Sequence, residues 1–352
     1  MKKVLSHIFI DGMNGMALGF FATFALGTIL QQLGIILTKD LGDILTTLGG
    51  LAICLTGVGI AAGMATKFGA TSAVALSAMI SGMVGAHAEN IYESSIITKE
   101  GLVRLSGPGD PLGAFIAALI ALEVGNLIAG KTEFDLMLTP LVSTGVGCAS
   151  ALLLAPILDK IMSYLVQAMQ WCTKQNSIVM GILIASMSCI ISLLPISLLT
   201  LIGLAKIHGI AAGAVTIGCC CSMIGFAVSS YRDNKLSGLF VIGVGTSKLQ
   251  LANIFKKPYI ILPPLVSSAI LGGAASGVFK LTNTVKGASM GTTGLVGCLS
   301  SYGKMMNNMG STEALILVSL LCFVLPGVIS LGVAELMRKG GLLKDGDAKI
   351  SL

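Results

Sequence analysis

The residue best placed to do chemistry in this sequence is a carboxylate inside an apolar segment. Glu123 lies within PLGAFIAALIALEVGNLIAG, residues 111–130, where an apolar run precedes it. A carboxylate near the centre of a bilayer costs about 2.5–3.5 kcal/mol on insertion scales, so Glu123 is expected to face the interior of a helix bundle with a partner or a proton. Asn126 follows on the same helix face. The pair is expected to contact a solute, or alternatively to join helices through Lys248 or backbone amides.

A second group of polar residues belongs to a motif that occurs twice, as GTSKL at 245–249 and GTTGL at 291–295. Glycine lets the backbone unwind near a ligand, and the hydroxyls that follow can cap a half-helix whose amides point at that ligand. The hydroxyl-bearing residues are Thr246, Ser247, Thr292 and Thr293. Both copies interrupt apolar segments, which predicts broken or re-entrant helices there. Close packing of small residues between helices is the alternative.

The histidines and one further carboxylate complete the candidates. His87 and Glu89 lie in GAHAENIYESS, at an expected membrane edge, where they would form a substrate gate or proton relay, or alternatively a solvated loop end. His208, beside Lys206, is interpreted as a solvated cap. His7 lies in the N-terminal arm with no identifiable partner.

The nine cysteines show no metal-ligand or redox spacing and are interpreted as small apolar residues. Adjacent residues of a helix point about 100° apart, so Cys219, Cys220 and Cys221 cannot converge on one metal. The chain also has no nucleophile elbow, phosphate-binding loop or zinc motif. We therefore predict no catalytic residue, no metal and no cofactor.

Composition sets the fold class in which these residues must be positioned. The chain has 352 residues, of which 54% are hydrophobic and 11% charged, and its mean hydropathy is +0.92. Soluble domains carry about 25% charged residues, and outer-membrane barrels lack such long continuous apolar runs. At roughly 20 residues per crossing, the length suits an all-α polytopic integral membrane protein with about ten transmembrane segments. The net charge of +6 fits basic loop ends beside anionic lipids and indicates no nucleic-acid partner.

Matching short segments in the same order predict two duplicated halves. The four expected regions are a first repeat at 1–158, an interfacial connecting helix at 159–176, a second repeat at 177–338 and a cytoplasmic tail at 339–352. In this alignment LEVGNL at 122–127 corresponds to LQLANI at 249–254.

The duplication pairs Glu123 and Asn126 with Gln250 and Asn253. If the repeats are inverted, a substrate site is expected at mid-membrane between them, with both polar pairs facing one cavity. Their donors and acceptors would suit a polyhydroxylated ligand.

Charges near the chain ends predict the orientation in the membrane. Basic residues next to transmembrane segments favour the cytoplasmic side. The chain carries such residues at both ends, namely Lys2, Lys3, Arg338, Lys339, Lys344 and Lys349. Both termini are therefore expected in the cytoplasm, with the acidic loop 89–111 outside.

Four strings of the sequence carry a family resemblance: LGAFIAALIALEVGNLIAGKTEFDLMLTPLV (112–142), GAVTIGCCCSMIGFAV (213–228), GVGTSKLQLANIFKKPYIILPPLVSSAILG (243–272) and GASMGTTGLVG (287–297). The chain resembles the PfoR-type toxin regulators, which are classed with the EIIC membrane subunits of the bacterial sugar phosphotransferase system. The resemblance implies a homodimeric transporter in the bacterial inner membrane that binds a sugar at mid-membrane and presents it to a cytoplasmic EIIB partner. No loop here is long enough to be an EIIB domain, so that partner would act in trans, and the chain would be at most the membrane subunit of a sugar phosphotransferase.

Two other functions fit the same residues. The first is a secondary carrier that couples a sugar-like solute to protons through Glu123, without phosphotransfer. The second is a membrane sensor that regulates gene expression through a partner.

Overall fold

The computed structural model describes residues 6–37, 39–93, 95–96, 101–105 and 107–350. Within these ranges every regular element is a helix, and an isolated strand-like bridge joins Gly209 and Asn283. The predicted all-helical class is confirmed. Lys2 and Lys3, on which the orientation partly depends, lie outside the described residues.

Contacts divide the chain into two compact units, residues 1–161 with 195–197, and residues 162–194 with 198–351. The boundary falls inside the 39-residue helix Asp135–Thr173. Most of the predicted connecting segment 159–176 therefore continues the preceding helix rather than forming a separate one. Trp171, in its last turns, is exposed.

The first unit is built of helices that join end to end or pack side by side. Its elements are, in chain order, the π-helical segment His7–Gly12, the helix Met13–Phe20, the π-helical segment Phe21–Ala25, and the helices Leu26–Ile36, Lys39–Cys54, Thr56–Phe68, Ser72–Ala86, Ala88–Tyr92, Pro111–Ile128 and the start of Asp135–Thr173. Asp110 caps Pro111–Ile128 by accepting a hydrogen bond from the Gly113 amide at 2.9 Å, and Pro111 occupies the first turn.

Glycines bring two helices of the first unit into backbone contact. A Cβ atom on Gly19 would lie 1.9 Å from the carbonyl oxygen of Gly59, and one on Gly63 would lie 2.1 Å from that of Gly15. Such close approach is how helices gain packing contacts where lipid supplies no hydrophobic driving force. Met13–Phe20 and Thr56–Phe68 therefore pack at a distance that only glycine permits at these positions.

The second unit surrounds one buried helix and contains most of the irregular helical segments. Its elements are the end of Asp135–Thr173, the helices Ser177–Ile191, Leu198–Leu204, Gly209–Ser229 and Tyr231–Phe240, the π-helical segment Val241–Gly245, the 3₁₀ segment Ser247–Gln250, the helix Leu251–Lys256, the 3₁₀ segment Pro258–Ile261, the helices Leu262–Gly277 and Val285–Met290, the 3₁₀ segment Thr293–Leu295, the helices Val296–Met309 and Ser311–Ser319, the π-helical segment Leu320–Val324 and the helix Leu325–Lys339. Gly209–Ser229 is the buried helix, and it packs against Ser177–Ile191 and Leu262–Gly277.

Six helical segments in the described residues are long and apolar enough to cross a membrane. They are His7–Ile36, Pro111–Ile128, Asp135–Thr173, Gly209–Ser229, Pro258–Gly277 and Ser311–Lys339. The pair Asp40–Cys54 and Thr56–Phe68, bent by 59° at a short break, makes a seventh if it counts as one span. The expected multi-pass membrane architecture is supported, whereas the expected number of ten segments is not confirmed. Shorter apolar helices, Ser72–Ala86 and Ser177–Ile191, account for part of the difference.

Candidate functional site

The first copy of the repeated motif interrupts a helix in the second unit. The chain leaves the α-helix Tyr231–Phe240 through the π-helical turn Val241–Gly245, and Thr246 is extended, with φ −158° and ψ 137°. A 3₁₀ turn, Ser247–Gln250, then starts the next helix, and the Thr246 hydroxyl accepts a hydrogen bond from the Lys248 amide at 3.3 Å. The predicted break at 245–249 is confirmed.

The second copy interrupts the chain between Val285–Met290 and Val296–Met309. Gly291 has φ +53°, and a Cβ atom there would lie 2.6 Å from the Cβ of Cys219. Gly294 and Leu295 also have positive φ, at +53° and +63°. Leucine rarely adopts this conformation, so the surrounding structure must hold Leu295 in it. The predicted break at 291–295 is confirmed as well.

The structure brings the two breaks together. Thr292 donates a hydrogen bond from Oγ1 to the carbonyl oxygen of Gly243 at 2.5 Å, and Thr293 donates one to that of Gly245 at 3.0 Å. Carbonyls at the end of a helix lack intrahelical donors, so the two threonines supply them. Ser247 accepts a hydrogen bond from Ser222 at 3.0 Å. Thr292, Thr293 and Ser247 are buried, so these bonds hold the interior of the second unit together.

Lys248 is a buried cation beside this junction. Its side chain is 5% exposed, and Nζ donates a hydrogen bond to the carbonyl oxygen of Leu194. Leu194 follows the C-terminus of the helix Ser177–Ile191, where a positive charge is favoured by the helix dipole. The alternative in which Lys248 pairs with Glu123 stays a prediction.

Gln250 and Asn253 are buried beneath the C-terminal segment. Gln250 Nε2 donates to the carbonyl oxygen of Ala348 at 2.9 Å, and Asn253 Nδ2 donates to Gln250 Oε1 at 2.8 Å and to the carbonyl oxygen of Lys349 at 3.0 Å. Residues 344–350 are here called the tail segment. Its backbone carbonyls accept hydrogen bonds from the Gln250 and Asn253 side chains, which were predicted from the sequence to bind a solute. The pattern of polar residues gave no signal for this contact.

Two side chains of the helix Tyr231–Phe240 also bind the tail segment. Asp233 accepts hydrogen bonds from the amides of Gly346 and Ala348, at 2.8 and 3.1 Å. Asn234 accepts one from the Ile350 amide at 2.9 Å and donates one to the carbonyl oxygen of Ala348 at 2.8 Å. The expected tail is therefore an ordered part of the second unit.

In the first unit, Glu123 pairs with His7. The distance between His7 Nε2 and Glu123 Oε1 is 3.1 Å, and the two side chains are 39% and 48% exposed. His7 also lies near Asp11, with Nδ1 3.8 Å from Oδ2, and its ring stacks on Phe68 at a centroid distance of 3.9 Å. The sequence prediction that His7 has no partner is wrong, because the fold brings it to a residue far along the chain. Asn126, on the same helix as Glu123, is exposed.

His87 and Glu89 differ in their surroundings although they are close in sequence. The His87 side chain is 2% exposed, and neither ring nitrogen has a hydrogen-bond partner among the described residues. Glu89 lies on the short exposed helix Ala88–Tyr92. Desolvation, together with the charges of Asp159, Glu93 and Asp110, raises the pKa of the Glu89 carboxyl. The gate or relay formed by His87 and Glu89 stays a prediction.

Interrupted helices that meet through polar contacts inside a multi-helix membrane protein are typical of transporters. Comparison with protein families gives the particular class: the model of the family described as Phosphotransferase system, EIIC, matches residues 10–350. The chain belongs to this family, as its resemblance to EIIC subunits implied, and is a membrane subunit of a phosphotransferase-system sugar transporter. No curated protein matches the chain.

Proposed function

We propose that this protein carries a sugar or sugar-like solute across the bacterial cytoplasmic membrane as a homodimer, with the phosphoryl group supplied by a separate EIIB protein. The family match over residues 10–350 carries this proposal. The long elements among the described residues are apolar helices. We expect an EIIB partner in trans to complete the reaction, and both termini to lie on its side of the membrane.

We place the solute site at the two interrupted helices. Their polar groups, the Thr292 and Thr293 hydroxyls and the Gly243 and Gly245 carbonyls, are bonded to one another in this conformation. Sugar hydroxyls both donate and accept, so they can replace these internal partners one for one. Such an exchange avoids leaving buried polar groups unpaired when the two segments separate.

The predicted duplication extends this proposal to Glu123 and Asn126, and to Gln250 and Asn253. The sequence repeat supports a shared cavity for these pairs, and a single polar cavity avoids placing both in lipid. Gln250 and Asn253 can contact a solute only after the tail segment has moved away. Cysteine pairs at positions 126 and 253 test the arrangement: a cross-link that forms in the double variant, and in neither single variant, supports it.

Uptake by reconstituted vesicles tests the proposed transport reaction. Purified protein is placed in vesicles and offered a panel of labelled sugars from outside, with or without EIIB proteins and a phosphoryl donor enclosed in the vesicles. We expect sugar phosphate to accumulate inside only when the phosphoryl relay is complete. Binding of a sugar without any flux, in the presence of a relay that drives a known EIIC protein, would contradict transport and favour a sensor.

The contact between His7 and Glu123 favours a second function, proton-coupled transport without phosphotransfer. A histidine and a carboxylate 3.1 Å apart can share a proton, and both side chains are partly exposed. Uptake driven by a pH gradient alone, abolished by Glu123→Gln and retained in Glu313→Gln, would establish this function. Glu313 is the matched control because it is an exposed carboxylate in the first turn of the helix Ser311–Ser319.

The thermal stability of a Glu123 variant distinguishes a role of this residue in solute binding from a role in joining helices. Glu123→Leu removes the charge and the contact with His7. If Glu123 serves binding, this variant should unfold at the same or a higher temperature than the wild type, because functional sites trade stability for activity. Marked destabilisation would instead mean that the pair joins helices.

A further inference from the structure

Three cysteines from separate elements of the second unit meet in its core. Cys220 lies on the helix Gly209–Ser229, Cys298 in the first turn of Val296–Met309, and Cys322 in the π-helical segment Leu320–Val324. Their sulfur atoms all lie within 4.8 Å of one another. The side chains are 0%, 5% and 0% exposed, and all three are free thiols. The sequence argument that neighbouring cysteines diverge holds for 219–221, but it does not exclude a site built from one of them and two distant partners.

The surroundings of these thiols are apolar. The cluster that contains them also includes Ile217, Leu271, Leu321 and Val318. The Gly291 carbonyl oxygen lies 4.0 Å from Cys298 Sγ. The donor set is therefore three sulfur atoms, which select a thiophilic ion over the oxygen-binding Mg²⁺ and Ca²⁺.

Charge decides which thiophilic ion fits. Three thiolates carry three negative charges, and an uncompensated charge in an apolar core is strongly unfavourable. A monovalent ion would leave two negative charges and a divalent ion one. A trivalent centre gives a neutral product, so it alone satisfies all three sulfurs without burying a net charge.

We propose that Cys220, Cys298 and Cys322 form a three-thiol site for a trivalent thiophilic centre of the arsenite type. Arsenous acid is small and uncharged at neutral pH, so it can enter an apolar core during local opening. In the reaction three As–O bonds and three S–H bonds break, three As–S bonds form, and the protons leave with the hydroxyls as three water molecules. No electron is transferred and the charge does not change.

Binding would also connect the elements that carry the thiols. Cys298 follows the interrupted segment at Gly291–Leu295, whose threonines contact Gly243 and Gly245. An ion held by Cys298, Cys220 and Cys322 fixes this segment to the central helix. Occupancy should therefore restrict any movement of the second interrupted helix.

The experiment uses the purified, reduced full-length chain in detergent with sodium arsenite as the probe. We expect one arsenic per chain, three sulfur neighbours by X-ray absorption, and protection of three of the nine thiols from alkylation after rapid denaturation. The melting temperature should rise, since a ligand that binds only the folded state stabilises it. Absorption data showing fewer than three sulfurs, or no protected thiols, would overturn the proposal and leave these cysteines as core packing.

Single substitutions assign the ligands. Cys298→Ala and Cys322→Ala should each abolish the three-sulfur signature, whereas Cys189→Ala, which removes an equally buried thiol outside the cluster, should retain it. Protection that survives Cys322→Ala would refute the assignment. If a variant fails to fold, the sulfur count of the wild-type protein still decides the matter. Tight binding of Cd²⁺ without binding of arsenite would refute the charge argument.

Discussion

Thr292→Val tests whether the contact between the two interrupted helices stabilises the second unit. The substitution keeps the size and the branched shape of the side chain but removes its hydroxyl. Thr292 is fully buried, and its Oγ1 lies 2.5 Å from the Gly243 carbonyl oxygen. In the variant this carbonyl loses its threonine donor in a place where water does not replace it.

The expected cost follows from that loss. Leaving a buried acceptor without a donor costs about 1–3 kcal/mol, and because no large cavity forms, little else should change. Each 1.4 kcal/mol is a factor of ten, so the equilibrium for separating the segments should shift roughly 5- to 150-fold. Thr293→Val removes the 3.0 Å bond to Gly245 and should cost a similar amount. The double variant should be non-additive, because both bonds join the same two segments.

Denaturant unfolding in detergent measures the change in free energy, and hydrogen exchange at 241–250 reports local separation. Thr66→Val is the matched control, since its hydroxyl donates to the Ala62 carbonyl oxygen at 2.9 Å on an exposed helix surface. It should change stability by less than about 0.5 kcal/mol. If Thr292→Val is as stable as Thr66→Val and exchange at 241–250 is unchanged, the two segments are held by other contacts.

Three further substitutions test other features. Gly19→Ala should destabilise the first unit by about 3 kcal/mol or more in thermal unfolding, because the added Cβ would lie 1.9 Å from a facing backbone oxygen. Gly145→Ala is the control: its Cβ would enter open space, so it should stabilise the protein by about 0.5–1 kcal/mol. Equal effects would refute the backbone contact. Glu89→Gln should stabilise the protein at neutral pH, because the folded state there holds a charged carboxylate although folding raises its pKa above 4.5. When unfolding is measured as a function of pH, this gain in stability should disappear below pH 4.5. A gain that does not depend on pH would contradict the prediction. Asp233→Ala should expose residues 344–350 to protease, and unchanged protection would show that the other contacts suffice.

The sequence was sufficient for features that depend on local composition. Long apolar runs predict membrane helices, and glycine with threonine inside such runs predicts interruptions, because an unbroken helix facing lipid would place large apolar residues there. The breaks at 245–249 and 291–295 were found for this reason. The number of membrane crossings was harder to predict from the sequence, because apolar helices such as Ser72–Ala86 are too short to be identified as spans from composition.

Contacts between distant residues could not be predicted from the pattern. His7 and Glu123 lie on separate elements of the first unit, and neither has a neighbour in sequence that indicates the other. Cys220, Cys298 and Cys322 likewise show no ligand spacing, because each comes from a different element. Gln250 donates a hydrogen bond to the backbone carbonyl of Ala348. Every residue has such a carbonyl, so the residue types in the sequence cannot indicate which one accepts.

The π-helical segments determine how this chain can be aligned. A π turn accommodates one residue more than the α-helical turn it replaces, and each residue of an α-helix advances the side chain by about 100°. Deleting one residue from Val241–Gly245 would therefore let the helix continue as α but would rotate Thr246 away from its present direction. The described residues contain two such segments in each unit, at His7–Gly12 and Phe21–Ala25, and at Val241–Gly245 and Leu320–Val324. An alignment of this chain with a relative whose helices are regular needs a one-residue gap at each of these positions if it is to match residues that occupy the same place in space.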